Sequence, residues 1–205
     1  MRIIRVEHGG TSYYGILEDG LVFRLHQQPG HMEPIPLSEA KVLPLVTPSK
    51  VVCVGLNYKA HAEELGYPLP NMPSFFLKPP SSIIGNGEPI VLPSGMGRIE
   101  HEAELAMVVG KVCRNLTPEE AEESLFGFTC ANDVTAREVQ KVDPLIGHCK
   151  SYDTFCPIGP WIETELEDIN DLSIRCLVNG EVRQSANTGD MIFRPLDLLC
   201  FLSRV

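Results

Sequence analysis

The sequence predicts a β-rich protein of the mixed α+β class. Seventeen glycines and seventeen prolines are spread through 205 residues, a composition that favours many short strands and turns over long helices. Hydrophobic residues make up 43% of the chain, which is enough apolar material for a buried core at this length. Most of it stands in short runs bounded by turn residues, the pattern of strands, and only a few segments have helical signals.

Residues 1 to about 45 alternate apolar and polar positions, as strands do when one face packs against a core. The Glu-Asp-Gly sequence at 18–20 separates two of these runs and predicts a hairpin turn. Pro44 and Pro48 then interrupt the pattern, and no cluster of catalytic residue types precedes them. We therefore predict an N-terminal β-rich domain over residues 1–48 and a catalytic domain over residues 49–205.

Beyond residue 48, short strands and short helices alternate. Predicted strands cover 51–56, 75–78, 89–93, 99–110 and 128–132, predicted helices cover 61–66, 117–126, 134–140 and 195–205, and a hairpin covers 172–184. Thr117 followed by Pro118 is typical of a helix N-terminus. The Asn-Gly pair at 179–180 is a strong hairpin signal.

Composition also excludes several classes of protein. The formal net charge of −10 opposes binding to nucleic acid, because phosphates need a basic surface. No apolar run approaches the roughly 20 residues that cross a bilayer, and the first residues lack the apolar stretch of a signal peptide. The seven cysteines have no zinc-knuckle or redox spacing, so we interpret them as reduced, mostly buried thiols. We expect a cytoplasmic protein without nucleic-acid or membrane partners.

A row of carboxylates is the first candidate for chemistry. Glu100, Glu102 and Glu104 stand two apart within the predicted strand 99–110, so their side chains point to one face. Like charges at this spacing repel and raise each other's pKa, which a nearby cation or full solvation must offset. A solvated edge strand is the competing interpretation.

The second candidate is Asp133, at a predicted junction between a strand and a helix. Arg137 and Gln140 follow it at helical spacing and are expected on the same side. An acid, a cation and an amide in line could hold a metal ion and the charged end of its ligand. A helix N-cap is the alternative role for Asp133.

Three carboxylates would form an all-oxygen set that suits a hard divalent cation such as Mg²⁺, Mn²⁺ or Ca²⁺. One lysine would bring such a site to neutrality, and Lys150 is the candidate, with an exposed surface lysine as the alternative. His61 and Glu64, three apart on a predicted helix, could form a pair in which the carboxylate raises the basicity of the imidazole. An ordinary surface pair is the other interpretation.

With these stretches taken together, the chain resembles the fumarylacetoacetate hydrolase family. The matching stretches are Gly-Leu-Asn-Tyr at 55–58 with His61 and Glu64, Glu-Ala-Glu-Leu-Ala at 102–106, Asn-Asp-Val-Thr-Ala-Arg at 132–137, Lys-Ser-Tyr-Asp at 150–153 with Gly-Pro at 159–160, and Val-Asn-Gly at 178–180 with Gln184, Asn187 and Thr188. They occur in the family's order. The resemblance implies a rolled mixed β-sheet with a small N-terminal β-rich domain, usually as a homodimer.

The resemblance also implies roles for individual residues. It selects Glu102, Glu104 and Asp133 as ligands of Mg²⁺ or Mn²⁺, with Ca²⁺ as a further fit, and it leaves Glu100 outside the ligand set. It implies that Lys150 contacts the substrate or an oxyanion. The remaining predicted site residues are a water-activating dyad on a mobile lid, His61 and Glu64, and two residues that grip a substrate carboxylate, Arg137 and Gln140.

The implied activity is metal-dependent cleavage of a carbon–carbon bond in a small keto acid. Hydrolysis of an acylpyruvate and decarboxylation of an oxaloacetate-type acid are the two forms that we expect. An isomerase of a ring-cleavage dienoate is an alternative with the same metal site. The family continues past residue 205 with strands that carry a Gly-Thr-Pro element, so a truncated, non-catalytic homologue that binds metal and carboxylate is the other alternative.

Overall fold

The computed structural model describes residues 1–25 and 33–205, so part of the predicted N-terminal domain, 26–32, lies outside the described residues. The strands are β1 (Arg2–His8), β2 (Thr11–Glu18), β3 (Leu21–Arg24), β4 (Ile35–Pro36), β5 (Lys41–Val42), β6 (Val51–Gly55), β7 (Ser74–Lys78), β8 (Ile83–Ile84), β9 (Ile99–Glu100), β10 (Ala103–Val109), β11 (Leu125–Asn132), β12 (Thr135–Ala136), β13 (Cys156–Glu163), β14 (Ser173–Val178) and β15 (Glu181–Asn187). The helices are α1 (Lys59–Leu65), α2 (Pro118–Ser124), α3 (Arg137–Val142) and α4 (Pro195–Leu202). Strands exceed helices, which confirms the β-rich α+β class.

A nine-stranded mixed sheet forms the centre of the fold. Its main path runs β10-β11-β13-β1-β2-β3-β4, with β5 paired to β1 and β8 paired to β13. The β1–β13 pair is antiparallel and aligns Ile3 with Ile162, whereas β8 runs parallel to β13. The sheet therefore joins strands from both sides of residue 48, and the domain boundary there stays a prediction.

Apolar side chains from both parts of the chain fill the main core. The buried members are Ile3, Ile4, Val6, Val22, Leu45, Cys156, Ile158 and Ile162. Burial of this apolar surface is the main contribution that stabilises the packing of the N-terminal strands against β13.

Three small two-stranded sheets complete the architecture: β6–β7, β9–β12 and β14–β15. The predicted turn at 18–20 joins β2 to β3, and Asn179 and Gly180, both at positive φ, join β14 to β15. Both predicted hairpins are confirmed. Helix α1 ends at Gly66, which adopts the left-handed conformation typical of a glycine at a helix C-terminus.

Two predicted strands differ from the structure. Residues 89–93 do not form a strand, because prolines at both ends lack an N–H to donate and the Val91 N–H donates to Thr154 Oγ1. The predicted strand 99–110 breaks between β9 and β10. At the break, the Glu102 N–H turns to the side-chain oxygen of Asn132 at 2.9 Å.

Two predicted helices also differ. The helix expected from residue 134 begins at Arg137, because Thr135 and Ala136 pair with β9 as a strand. The helix expected over 195–205 ends at Leu202. By contrast, α2 begins as predicted, with Thr117 and Glu120 forming a reciprocal capping box.

All seven cysteines are free. Cys149, Cys156 and Cys200 are buried, but Cys130 is exposed and the others are half-buried, so the expectation of mostly buried thiols is only partly correct. In the ranges 1–25 and 33–205, no helix combines the length and the apolar character that crossing a bilayer requires.

Candidate active site

Lys150 lies at the centre of a buried ionic cluster. A short turn, His148–Lys150, follows α3 and directs its side chain inward, where only 5% of it is exposed. The Nζ atom donates to Glu102 Oε2 at 2.6 Å, to Asp133 Oδ2 at 2.6 Å and to Thr135 Oγ1 at 2.9 Å. The alternative of an exposed surface lysine is therefore wrong.

A second lysine, absent from the sequence predictions, completes the cluster. Lys78 is the last residue of β7, and its side chain is fully buried. Its Nζ donates to Asp133 Oδ1 at 2.5 Å and to the Val134 carbonyl at 3.5 Å. Phe76 lies two residues earlier on the same face of β7, and its ring centroid is 5.1 Å from Lys150 Nζ. Strand β7 thus supplies both the Lys78 ammonium and the aromatic ring that lies beside Lys150.

Asp133 holds an ammonium group on each of its two carboxylate oxygens. It follows the last residue of β11, and its backbone N–H donates to the Glu102 carbonyl at 2.8 Å. The N-cap of α3 is Ala136, and no side chain caps the helix. Asp133 cannot take that position because β12 separates it from the first turn of α3. The N-cap alternative for Asp133 is therefore wrong.

Arg137 and Gln140 lie on one face of α3, as their spacing predicts. Arg137 contacts Glu100 through Nε at 2.6 Å and Glu102 through a terminal nitrogen at 2.6 Å. Its other terminal nitrogen donates to Gln140 Oε1 at 2.9 Å. The structure therefore brings both predicted substrate-binding residues to the carboxylates, and Glu100 is paired with Arg137 and Arg98.

The charges around Glu102 decide its protonation state. Burial alone would raise the pKa of its carboxyl, but the ammonium of Lys150 and the guanidinium of Arg137 outweigh burial and lower that pKa. Burial would likewise lower the pKa of the Arg137 guanidinium, and its bonds to Glu100 and Glu102 raise it instead. Glu102 is ionised at neutral pH and lies between two cations.

Glu104 is in the opposite situation. It lies on β10, two residues after Glu102, but no hydrogen bond or ion pair holds its carboxyl among the residues that the structure describes. Burial raises its pKa to about 8, and the negative charges of Glu102 and Asp133 add to that rise. Lys150 opposes the shift only in part. A further cation beside Glu104 would allow it to ionise at neutral pH.

His61 and Glu64 form the predicted pair on α1. His61 Nδ1 lies 3.3 Å from Glu64 Oε2, and the two side chains are 47% and 76% exposed. No hydrogen bond or ion pair joins them to the carboxylate cluster within residues 1–25 and 33–205. The geometry is compatible with a dyad and with a surface pair, and their catalytic role stays a prediction.

Comparison with known proteins identifies the family of this chain. Residues 50–205 match the family model described as fumarylacetoacetate (FAA) hydrolase C-terminal. The chain belongs to the fumarylacetoacetate hydrolase family. Residues 1–44 match a second model, described as Rv2993c-like, N-terminal.

Members of the fumarylacetoacetate hydrolase family that resemble this chain include several kinds of enzyme. The human oxaloacetate tautomerase FAHD2A, mitochondrial, is 42% identical over 177 residues, which cover 83% of this chain and 56% of that protein. The chain thus spans little more than half of that relative's length. A 5-carboxymethyl-2-hydroxymuconate delta-isomerase from Mycobacterium smegmatis has a TM-score of 0.90 at 38% identity, covering 100% of this chain and 82% of the other.

A third relative was solved with ligands. Maleylpyruvate hydrolase from Sphingobium sp. SYK-6, in complex with manganese(II) ion and pyruvate, has a TM-score of 0.81 at 29% identity. It covers 99% of this chain and 83% of the other. The relatives of this chain therefore include a tautomerase by sequence, and an isomerase and a hydrolase by sequence and fold.

The carboxylates fit a hard divalent cation by their chemistry. Among the described residues, no three acidic, histidine or cysteine side chains stand ready-made as a metal-binding group, and two lysines occupy the oxygens of Asp133. All the candidate donors, Glu102, Glu104 and Asp133, are nevertheless oxygen ligands of the kind that Mg²⁺ and Mn²⁺ prefer. Lys150 offsets only part of the rise in the pKa of Glu104, so a bound cation would supply the further positive charge that its ionisation at neutral pH requires.

Proposed function

We propose that this chain forms the active site of a divalent-metal-dependent enzyme that interconverts the keto and enol forms of a small keto acid. The observation that carries the proposal is the buried cluster in which Lys150 bridges Glu102 and Asp133, while no described residue forms an ion pair with Glu104. Burying three ionised carboxylates together costs a large amount of free energy unless cations pair with them. The tautomerase relative supports the choice of reaction.

The charge balance favours an anionic substrate. With a divalent cation bound, Lys78 and Lys150 bring the positive charge to four, against three carboxylates. Glu100 and Arg137 neutralise each other at the edge of the cluster. The site would then have one unit of positive charge to spare, which suits the carboxylate of a keto acid. We assign the grip on that carboxylate to Arg137 and Gln140.

The reaction itself moves one proton. Glu102, Glu104 and Asp133 would hold the divalent cation, which would supply polarisation of the keto oxygen. A proton leaves the carbon next to the keto group and returns to the oxygen, so no atom is gained or lost. We assign to Lys150 a hydrogen bond to that oxygen as charge develops on it, for which Nζ would give up one of its three present bonds. We assign the proton transfer to His61, whose Nδ1 lies 3.3 Å from Glu64 Oε2.

Carbon–carbon bond cleavage is the second candidate function. The 3.3 Å contact between His61 and Glu64 favours it, because such a pair can activate water for hydrolysis. The relative named maleylpyruvate hydrolase supports it as well. Acylpyruvate hydrolysis and oxaloacetate decarboxylation would both pass through an enolate, as would isomerisation of a ring-cleavage dienoate. A cytoplasmic homodimer remains part of this proposal.

The test of the first candidate is the decay of the ultraviolet absorbance of enol-oxaloacetate. We expect wild type to accelerate the decay with Mg²⁺ or Mn²⁺ and to lose that effect in EDTA. Glu102→Gln should reduce the metal-dependent rate at least about 100-fold, because it removes a charge that binds the ion. Lys141→Met, which alters an exposed pair on α3, is the control and should leave the rate unchanged. Full activity in EDTA, or in Glu102→Gln, would contradict the proposal.

A second assay separates the two candidates. Pyruvate released from an acylpyruvate is measured for wild type and for His61→Ala with Mn²⁺ present. Release by wild type that disappears in His61→Ala would favour hydrolysis. Tautomerisation of oxaloacetate without any pyruvate release would favour the first candidate.

A further inference from the structure

The side-chain amide of Gln184 binds β10 as a neighbouring strand would. Its Oε1 accepts a hydrogen bond from the Ala103 N–H at 2.8 Å, and its Nε2 donates to the Ala103 carbonyl at 2.8 Å. Ala103 lies between Glu102 and Glu104. One amide therefore satisfies both backbone groups of the residue that separates two candidate ligands.

Among the described residues, no strand pairs with Ala103 along the edge of β10 that faces away from β11. In the part of the chain that the structure describes, β10 is the last strand of the nine-stranded sheet and pairs with β11 along one edge only. Along that paired edge, the Glu102 backbone is held by the Asn132 side chain at 2.9 Å and by the Asp133 N–H at 2.8 Å. Gln184 supplies the corresponding bonds along the open edge. The backbone at Glu102 and Ala103 is thus held from both sides.

A bulge in the β14–β15 hairpin accompanies this contact. Cys176 pairs with Gln184, but the next residue, Leu177, pairs with Val182. Arg183 is therefore an extra residue in β15, and such a bulge changes the direction of the side chains beside it. The bulge thus accounts for the direction of the Gln184 amide, which points from the β14–β15 hairpin to β10.

We propose that Gln184 is a positioning residue that holds β10 so that Glu102 and Glu104 stay close to Asp133 for metal binding. Three carboxylates that face one another repel, and a strand held along one edge would move to separate them. The two bonds from Gln184 oppose that movement at the residue between the two glutamates. This inference rests on the proposed function, because it takes those glutamates to be metal ligands.

The test compares Mn²⁺ affinity in wild type and Gln184→Met, a change that keeps the length of the side chain and removes both hydrogen bonds. Free Mn²⁺ is followed by electron paramagnetic resonance during titration. We expect Kd to rise about tenfold, the lower end of the range for residues that support metal ligands, and the spectrum of bound Mn²⁺ to change. Ser185→Ala, at the exposed neighbouring position, is the control and should bind as wild type does.

A second measurement covers the case in which Gln184→Met does not fold. In wild type, addition of Mg²⁺ should shift the NMR signals of the Gln184 side-chain amide and the Ala103 N–H. Unchanged signals, or wild-type Mn²⁺ affinity with an unchanged spectrum in Gln184→Met, would refute the positioning role alone. Wild type that binds no Mn²⁺ would refute the proposed function and this inference with it.

Discussion

Replacing Lys78 with methionine tests the buried ion pair that the sequence did not reveal. The lysine side chain has no exposed surface and that of Asp133 is 10% exposed, so removing the ammonium leaves a buried carboxylate short of one partner. Breaking a buried pair in this way costs roughly 3–5 kcal/mol. Asp133 keeps Lys150 on its other oxygen, so we expect the lower end of that range, about 3 kcal/mol. For a chain of this size the midpoint of thermal unfolding should fall by about 6–12 °C.

The assay is urea and thermal unfolding of wild type, Lys78→Met and Lys141→Met, all in EDTA. Lys141 pairs with Glu138 on α3, and the two side chains are 61% and 48% exposed, so its replacement should cost less than about 0.5 kcal/mol. The two variants remove the same group and differ in burial. A loss below about 1 kcal/mol for Lys78→Met would refute the argument that the buried ammonium is needed to hold Asp133.

Two further predictions concern Glu104 and Thr117. In EDTA, native Glu104 keeps its proton up to about pH 8, while the unfolded chain releases it near its ordinary value of 4.5, so thermal stability should fall as pH rises from about 5 to 8. Glu104→Gln should remove this slope and Mg²⁺ should oppose it; a slope that persists in Glu104→Gln would assign it to another group. Thr117→Ala removes one half of the capping box of α2 and should cost about 1 kcal/mol in urea unfolding. An unchanged free energy of unfolding would show that the Thr117 cap does not contribute to the stability of the protein.

Local pattern predicted the parts of the site that depend on one element. The spacing of Arg137 and Gln140 predicted their common face on a helix, and the two form a hydrogen bond there. The two-residue spacing of Glu102 and Glu104 predicted one continuous strand, but Glu102 lies in the break before β10. The proximity of Asp133 and Lys150 came from charge balance and family resemblance, since no local pattern relates them to β10. Their roles as ligands and catalytic groups stay predictions.

Lys78 shows why the rest was missed. A lysine at the end of an apolar strand has the ordinary signature of a solvated residue. Its partner, Asp133, is 55 residues away in sequence, and only the tertiary fold brings the two together. The same limit applies to the break at Glu102, where the Asn132 side chain, 30 residues away, takes the backbone N–H.

The start of helix α3 was also predicted wrongly, since the helix begins at Arg137 and not at residue 134. Residues 134–140 have a plausible helical pattern, but Thr135 and Ala136 pair with Glu100 and Ile99 instead. Tertiary pairing therefore overrides local propensity at the point where Asp133 must turn toward Lys150. A helix that began at 134 would have used Asp133 as its cap and left the cluster without its central acid.

The antiparallel pair between β1 and β13 makes the first strand of the chain a neighbour of the scaffold that carries the carboxylates. Strand β13 lies between β1 and β11, and β11 leads directly to Asp133. Deleting the residues before 49 would remove the β1 partners of Ile162 and Glu163 and leave that part of β13 as an open edge, able to pair with another chain. A catalytic fragment made by cutting near residue 48 should therefore aggregate, and hybrids between relatives should exchange β1 and β13 together.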